Sequence, residues 1–203
     1  MAGSDIQQQK SAFRSQAAGN RRDQPDKEEL SRRIVGAFMS LPEFALADTV
    51  LFYVDVRDEV RTQTDLQLAL DCSKTIVVPW CNEAGELELF CLTSMDQLET
   101  GKYKIPEPNR ELRTRPEHQI DVKALDLLMV PGVCFDYHGV RIGHGKGYYD
   151  KLLARARPDA ARIALAFECQ VFERIPTAEH DELMDTIVTE QRIYQSDRLK
   201  VTR

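Results

Sequence analysis

A chain of 203 residues, 42% hydrophobic and 30% charged, has the composition of an ordinary water-soluble protein with a core of its own, and excludes a fibrous or low-complexity chain. Its net charge of −6 argues against a nucleic-acid surface, because phosphate backbones reward extended basic faces. No apolar run approaches the roughly 18 residues of a membrane span, and the opening MAGSDIQQQK lacks the apolar centre of a signal peptide.

The expectation is therefore one domain over residues 1–203, in the cytoplasm, without nucleic-acid or membrane partners, and monomeric or weakly self-associating. Five cysteines without a C-x-x-C and four histidines without an H-x-x-x-H read as reduced thiols and give zinc no support. Any anionic ligand must meet local cations.

In chain order, residues 5–18 are polar and helix-compatible, and Gly19-Asn20 is the expected break, giving an N-terminal helical arm over 1–24. Asp26 and Glu29 have capping-box spacing, and Leu30, Ile34, Ala37, Phe38 and Leu41 recur at helical spacing until Pro42. That pattern predicts a core-facing helix. Apolar, β-branched runs at 49–54, 75–80, 126–131, 162–167 and 185–190 predict strands, with a half-exposed edge strand at 86–92. Amphipathic segments at 64–70 and 148–156 alternate with them. The predicted fold is α/β, three-layered, with a mainly parallel sheet flanked by helices. Residues 105–118, IPEPNRELRTRPEH, read as a proline-rich crossing loop.

The stretch RIGHGKGYYD (141–150) joins a predicted strand to a predicted helix. Glycines allow positive φ and close backbone approach, and N–H groups converging at a helix start make an anion site. Arg141 can fork onto phosphate oxygens and Lys146 can add a mobile charge. Spacing alone suits a simple hairpin equally well; the cations and Asp150 favour phosphate. The loop is no Walker A, since Gly147 follows Lys146, and Tyr148 fills the last glycine position of G-x-G-x-x-G. Asp150 suits the helix dipole without any ligand, but a carboxylate after a phosphate loop is also where Mg2+ is held. Asp185 could join it if the two strand ends are neighbours.

The run VPGVCFDYHGVRIGHGKGYYDKLL, the later HDELMDTIVTE, the upstream IPEP and the K-x-x-x-R of Lys10 and Arg14 together resemble the 5-formyltetrahydrofolate cyclo-ligase (5,10-methenyltetrahydrofolate synthetase) family over nearly the whole chain. The resemblance implies ATP- and Mg2+-dependent conversion of 5-formyltetrahydrofolate to 5,10-methenyltetrahydrofolate, through phosphorylation of the formyl oxygen and attack by N10. It implies that ATP is bound by Arg141, Ile142, Gly143, His144, Gly145, Lys146, Gly147, Tyr148 and Tyr149, with Lys10 and Arg14 joining from the arm. Of these, Lys146, Arg141 and Tyr149 would stand at the chemistry. Asp150 and Asp185 would hold Mg2+, and Val56, Glu59 and Arg61 would face the folate.

Arg61 departs from the family pattern, which often has an acidic residue there, so Glu59 is the expected pterin carboxylate. That departure also motivates the alternative of a folate- or nucleotide-binding protein without turnover. A sugar-phosphate isomerase or CoA-handling enzyme on a similar sheet would want a general base beside the loop, and none stands out. His144 is expected to act through its backbone. Trp80 and Pro106-Glu107-Pro108 are given no site role.

Overall fold

The computed structural model of the chain describes residues 2–101, 105–178, 181–196 and 198. Helix α1 (Ala2–Asp23) runs through Gly19-Asn20, where a break was expected. A helical glycine costs about 1 kcal/mol, and tertiary contacts offset it. Ala17 is fully buried, Asn20 donates to the Cys169 carbonyl at 3.0 Å, and Arg21 donates to the Gly132 carbonyl at 3.1 Å.

Helix α2 (Lys27–Met39) buries Ile34, Val35 and Phe38. The expected capping box does not form. Asp26 takes a left-handed φ of 54° and its side chain caps nothing. Pro42 opens the short helix α3 (Pro42–Leu46) as a first-turn proline.

The remaining elements are β1 (Thr49–Leu51), α4 (Gln63–Leu70), β2 (Thr75–Cys81), β3 (Leu87–Leu92), β4 (Leu98–Thr100), β5 (Pro106–Pro108), α5 (Arg110–Arg113), β6 (Leu127–Val130), β7 (Cys134–Asp136), β8 (Arg141–Ile142), α6 (Tyr148–Arg155), β9 (Ala161–Leu165), β10 (Val171–Phe172), β11 (Thr186–Val188) and β12 (Ile193–Gln195). The main sheet has the order β12-β11-β9-β6-β1-β2-β3. Its five inner strands are parallel, and β3 and β12 run antiparallel at the edges.

Side chains alternate across each strand, so both faces must be apolar for the sheet to be buried on both sides. Val50, Phe52, Ile76, Val78, Leu127 and Met129 pack with Ile34 and Phe38 of α2. Leu51, Val77, Leu128 and Val130 pack on the other face with Leu152 and Leu153 of α6. This is the three-layer α/β architecture the sequence predicts.

A second sheet, β10-β7-β8, was not expected, because strands of two or three residues carry too few side chains for a period to show. It packs on α1 through Ala17, Val133, Cys134 and Ile142, with Phe13 edge-on to Phe172 at 5.2 Å.

The strand order reverses between β1 and β6: the chain passes from β1 to β2 on one side and later returns to β6 on the other. Ligands of α/β sheets bind in the crevice outside the strand ends at such a point.

Candidate active site

The glycine loop is set up by the hairpin before it. Asp136 Oδ1 accepts the N–H groups of His138 and Val140 at 2.9 and 3.0 Å, and its Oδ2 accepts that of Ile175 at 3.1 Å. This fixes β8 and delivers Arg141 beside the carboxyl end of β6. Gly145 (φ 88°) and Gly147 (φ 70°) then take left-handed conformations, which side chains disfavour. Gly147 immediately precedes α6, so the helix start opens onto the crevice.

There the structure has a cavity of about 260 Å³. Tyr53, Val54, Val56 and Glu59 line it from the segment after β1, Pro79 and Cys81 from β2, and Pro131 and Gly132 from the end of β6. Ile105, Pro106 and Glu107 form a further wall, and Arg141 and residues 143–150 close it.

Arg141 is buried. It donates to the Pro131 carbonyl at 3.2 Å and to the Asp150 carboxylate, while its Nε has no hydrogen-bond partner. Lys146 is exposed. Arg14 Nε donates to the Gly143 carbonyl at 2.8 Å, and its guanidinium lies against Gly145. The long helix α1 thus braces the glycine loop from outside.

Glu59 is buried. Its Oε2 accepts the Val56 N–H at 3.0 Å, and its Oε1 lies 3.3 Å from His144 Nε2. This contact ties the folded segment after β1 to the glycine loop. Burial pushes the Tyr149 phenol well above its ordinary range, and the Glu59 charge adds to this against the pull of Arg141. Burial, then Glu59 and Asp55, raises Tyr53 likewise. Both phenols stay protonated.

A model of the 5-formyltetrahydrofolate cyclo-ligase family matches residues 6–190. The chain belongs to this family. Among relatives, the probable 5-formyltetrahydrofolate cyclo-ligase of Schizosaccharomyces pombe is 28% identical over 171 residues, covering 78% of this chain and 82% of its own. The 5-formyltetrahydrofolate cyclo-ligase of Escherichia coli K12 is 26% identical over 171 residues, covering 83% and 92%. The NMR structure of Aquifex aeolicus 5,10-methenyltetrahydrofolate synthetase superposes with a TM-score of 0.79 at 31% identity, covering 92% of each chain.

Seen as a cyclo-ligase site, the cavity gathers much of the expected set: Val56, Glu59, Arg141, Gly143, His144, Gly145, Lys146, Gly147, Tyr148, Tyr149 and Asp150 all line it. Five expected residues lie elsewhere, among them Arg14, which braces the loop from outside. Lys10 is buried with its Nζ 2.7 Å from Asp181 Oδ1; the anion that relieves its repulsion with Arg14 comes from the protein itself. The Ile142 side chain lies in the small core under α1.

Arg61 reaches Glu28 at 3.2 Å and Asp55 at 3.4 Å, outside the cavity. The reason is local. The Asp55 carboxylate accepts the N–H groups of Thr62 and Gln63 at the start of α4, and Arg61 neutralises that cap. The segment therefore turns Arg61 outward and Glu59 inward.

The largest correction concerns Asp185. Its Oδ2 accepts the Arg162 N–H at 2.8 Å, and Arg198 grips both of its oxygens. Asp185 precedes β11 at the amino end of the sheet, beside Arg162, whereas Asp150 of α6 is held by Arg141 at the carboxyl end of β6, so the two carboxylates do not meet. Among the described residues no group of three His, Cys, Asp or Glu could hold a metal.

Sequence reasoning did not single out Tyr53 or Arg21, and it left Pro106-Glu107-Pro108 between lining the pocket and stiffening a loop. For Arg21 a signal existed, since it falls eleven residues after Lys10, on the same helical face as Lys10 and Arg14. The His144 imidazole was also expected to be idle, and it meets Glu59.

Proposed function

We propose that this chain uses ATP to convert 5-formyltetrahydrofolate into 5,10-methenyltetrahydrofolate, releasing ADP and phosphate. The observation that carries this reading is the cavity at the β1–β6 switch point, where a glycine loop with cations faces a buried carboxylate between tyrosines. The backbone of Gly143 to Gly147 and Lys146 bind the phosphates, and Arg14 and Arg141 hold the loop in shape. Val56, Glu59, Tyr53 and Tyr149 seat the reduced pterin. Glu59 accepts its N–H groups and the Tyr149 phenol donates, while Tyr53, whose O–H is held by the Val60 carbonyl at 3.1 Å, offers its ring.

A formyl oxygen leaves poorly until it takes the γ-phosphoryl of ATP. N10 then bonds to the formyl carbon, and the C–O bond breaks to release phosphate. Positioning and charge neutralisation do most of this work. Mg2+ would be held by the nucleotide's own phosphate oxygens with Asp150 as the single protein carboxylate, neutralising charge as ADP departs. Asp150 is about a third exposed at the cavity, with Oδ1 steadied by Arg141, and this supports a one-carboxylate arrangement. All five cysteines are free, which supports a reducing, cytoplasmic setting.

No described helix is long and apolar enough to cross a membrane. The binding-only alternative loses its motive, because Arg61 is turned from the cavity. The test is the absorbance rise of 5,10-methenyltetrahydrofolate when purified protein meets 5-formyltetrahydrofolate with and without MgATP. A rise that requires MgATP supports the reading, and folded protein that gives none overturns it.

A further inference from the structure

Three carboxylates line the cavity: Glu59, Asp150 and Glu107. The first is engaged by the Val56 N–H and His144, the second by Arg141. Glu107 has no hydrogen-bond or ion-pair partner among the described residues. Its presentation is nevertheless built. Pro106 and Pro108 flank it and fix the backbone of β5, which pairs with β4 so that Glu107 stands opposite Glu99. Like charges placed opposite each other are unfavourable, and Arg113 relieves only Glu99, at 3.1 Å.

A Cβ on Gly101 would lie 2.2 Å from the Glu107 carboxyl carbon, so the missing side chain there makes the carboxylate's seat. Among the described residues, the cavity's other carboxylates and bases are Glu59, His144, Lys146 and the Arg141–Asp150 pair, with Glu99 on the adjoining strand held by Arg113 of α5.

We propose that Glu107 is a catalytic residue that takes the N10 proton during ring closure. The proposal rests on the cyclo-ligase reading above. When N10 bonds to the activated formyl carbon, its N–H must break. The electron pair of that bond stays on nitrogen, the C–O bond electrons leave with phosphate, and the proton passes to a Glu107 oxygen and then to solvent. A base needs a lone pair not already bound by a cation or N–H donor; both Glu59 oxygens are engaged and the second Asp150 oxygen is the one proposed for Mg2+, which leaves Glu107.

The test compares wild type, Glu107→Gln, Glu107→Asp and Gly101→Ala by steady-state kinetics across pH, with the ATP dissociation constant measured separately. Gly101→Ala displaces the flexible carboxyl without touching the backbone of β5. The expected result is a kcat about 100-fold lower in Glu107→Gln, loss of the acidic limb of its pH profile, a smaller fall in Gly101→Ala, partial recovery in Glu107→Asp, and unchanged ATP binding. An unchanged kcat in Glu107→Gln, or a raised folate KM at constant kcat, would overturn it. A wild type with no activity would instead overturn the cyclo-ligase reading itself.

Discussion

Asp150 and Asp185 are both bound by arginine, at opposite ends of the same parallel sheet. At the amino end, Asp185 is buried and its oxygens are taken by Arg162 N–H and by Arg198. At the carboxyl end, Asp150 has one oxygen on Arg141 and is about a third exposed to the cavity. The pair at the amino end closes the β9–β11 register and leaves nothing for a ligand. The pair at the carboxyl end keeps capacity in reserve. Strand direction, together with the count of lone pairs already spent, separates a working carboxylate from a structural one.

Substitutions can break this contrast. The largest effect is expected for Asp150→Asn, with kcat lower by about 100-fold or more and its Mg2+ dependence weakened, together with a fall in Tm as buried Arg141 loses its charge partner; kinetics over a Mg2+ series and thermal unfolding check both halves. Asp185→Asn should act on stability alone. It removes the carboxylate that Arg198 grips and costs about 3 kcal/mol in urea unfolding, with the KM for ATP of the folded fraction unchanged.

Arg14→Ala sharpens the picture from outside the cavity: removing the brace on Gly143 should raise the KM for ATP about tenfold, or about 1.4 kcal/mol, measured at saturating folate. Arg61→Ala should matter least, changing stability by no more than about 0.5 kcal/mol and leaving the folate KM alone. A large rise in that KM would return Arg61 to the substrate.

Long parallel strands and amphipathic helices were legible because each carries several turns or pleats of its pattern. The runs around Val50, Ile76, Leu128, Ile163 and Ile187 lie in the main sheet as expected. The glycine loop was legible for a different reason: its residue types are costly elsewhere and useful around an anion. What failed was relational. The joint placement of Asp150 and Asp185 depends on which ends of the sheet they occupy, and the direction of Arg61 depends on Asp55 acting as a cap for α4. Gly19 failed as a break because Arg21 and Asn20 find partners more than a hundred residues away. Glu107 went unassigned because only Gly101, just past the paired strand β4, shows that room was kept for it.

Helix α1 is made before the elements it docks on, since its cationic contacts are with Gly132, Gly143 and Asp181, at sequence separations of 111, 129 and 171 residues. During synthesis the glycine loop therefore acquires its brace only once Gly143 has emerged, and the latch at Lys10 closes later still, with Asp181. Contacts of such separation are entropically late and slow to form. A nascent chain that has not yet reached Gly143 would hold the helix without its dock.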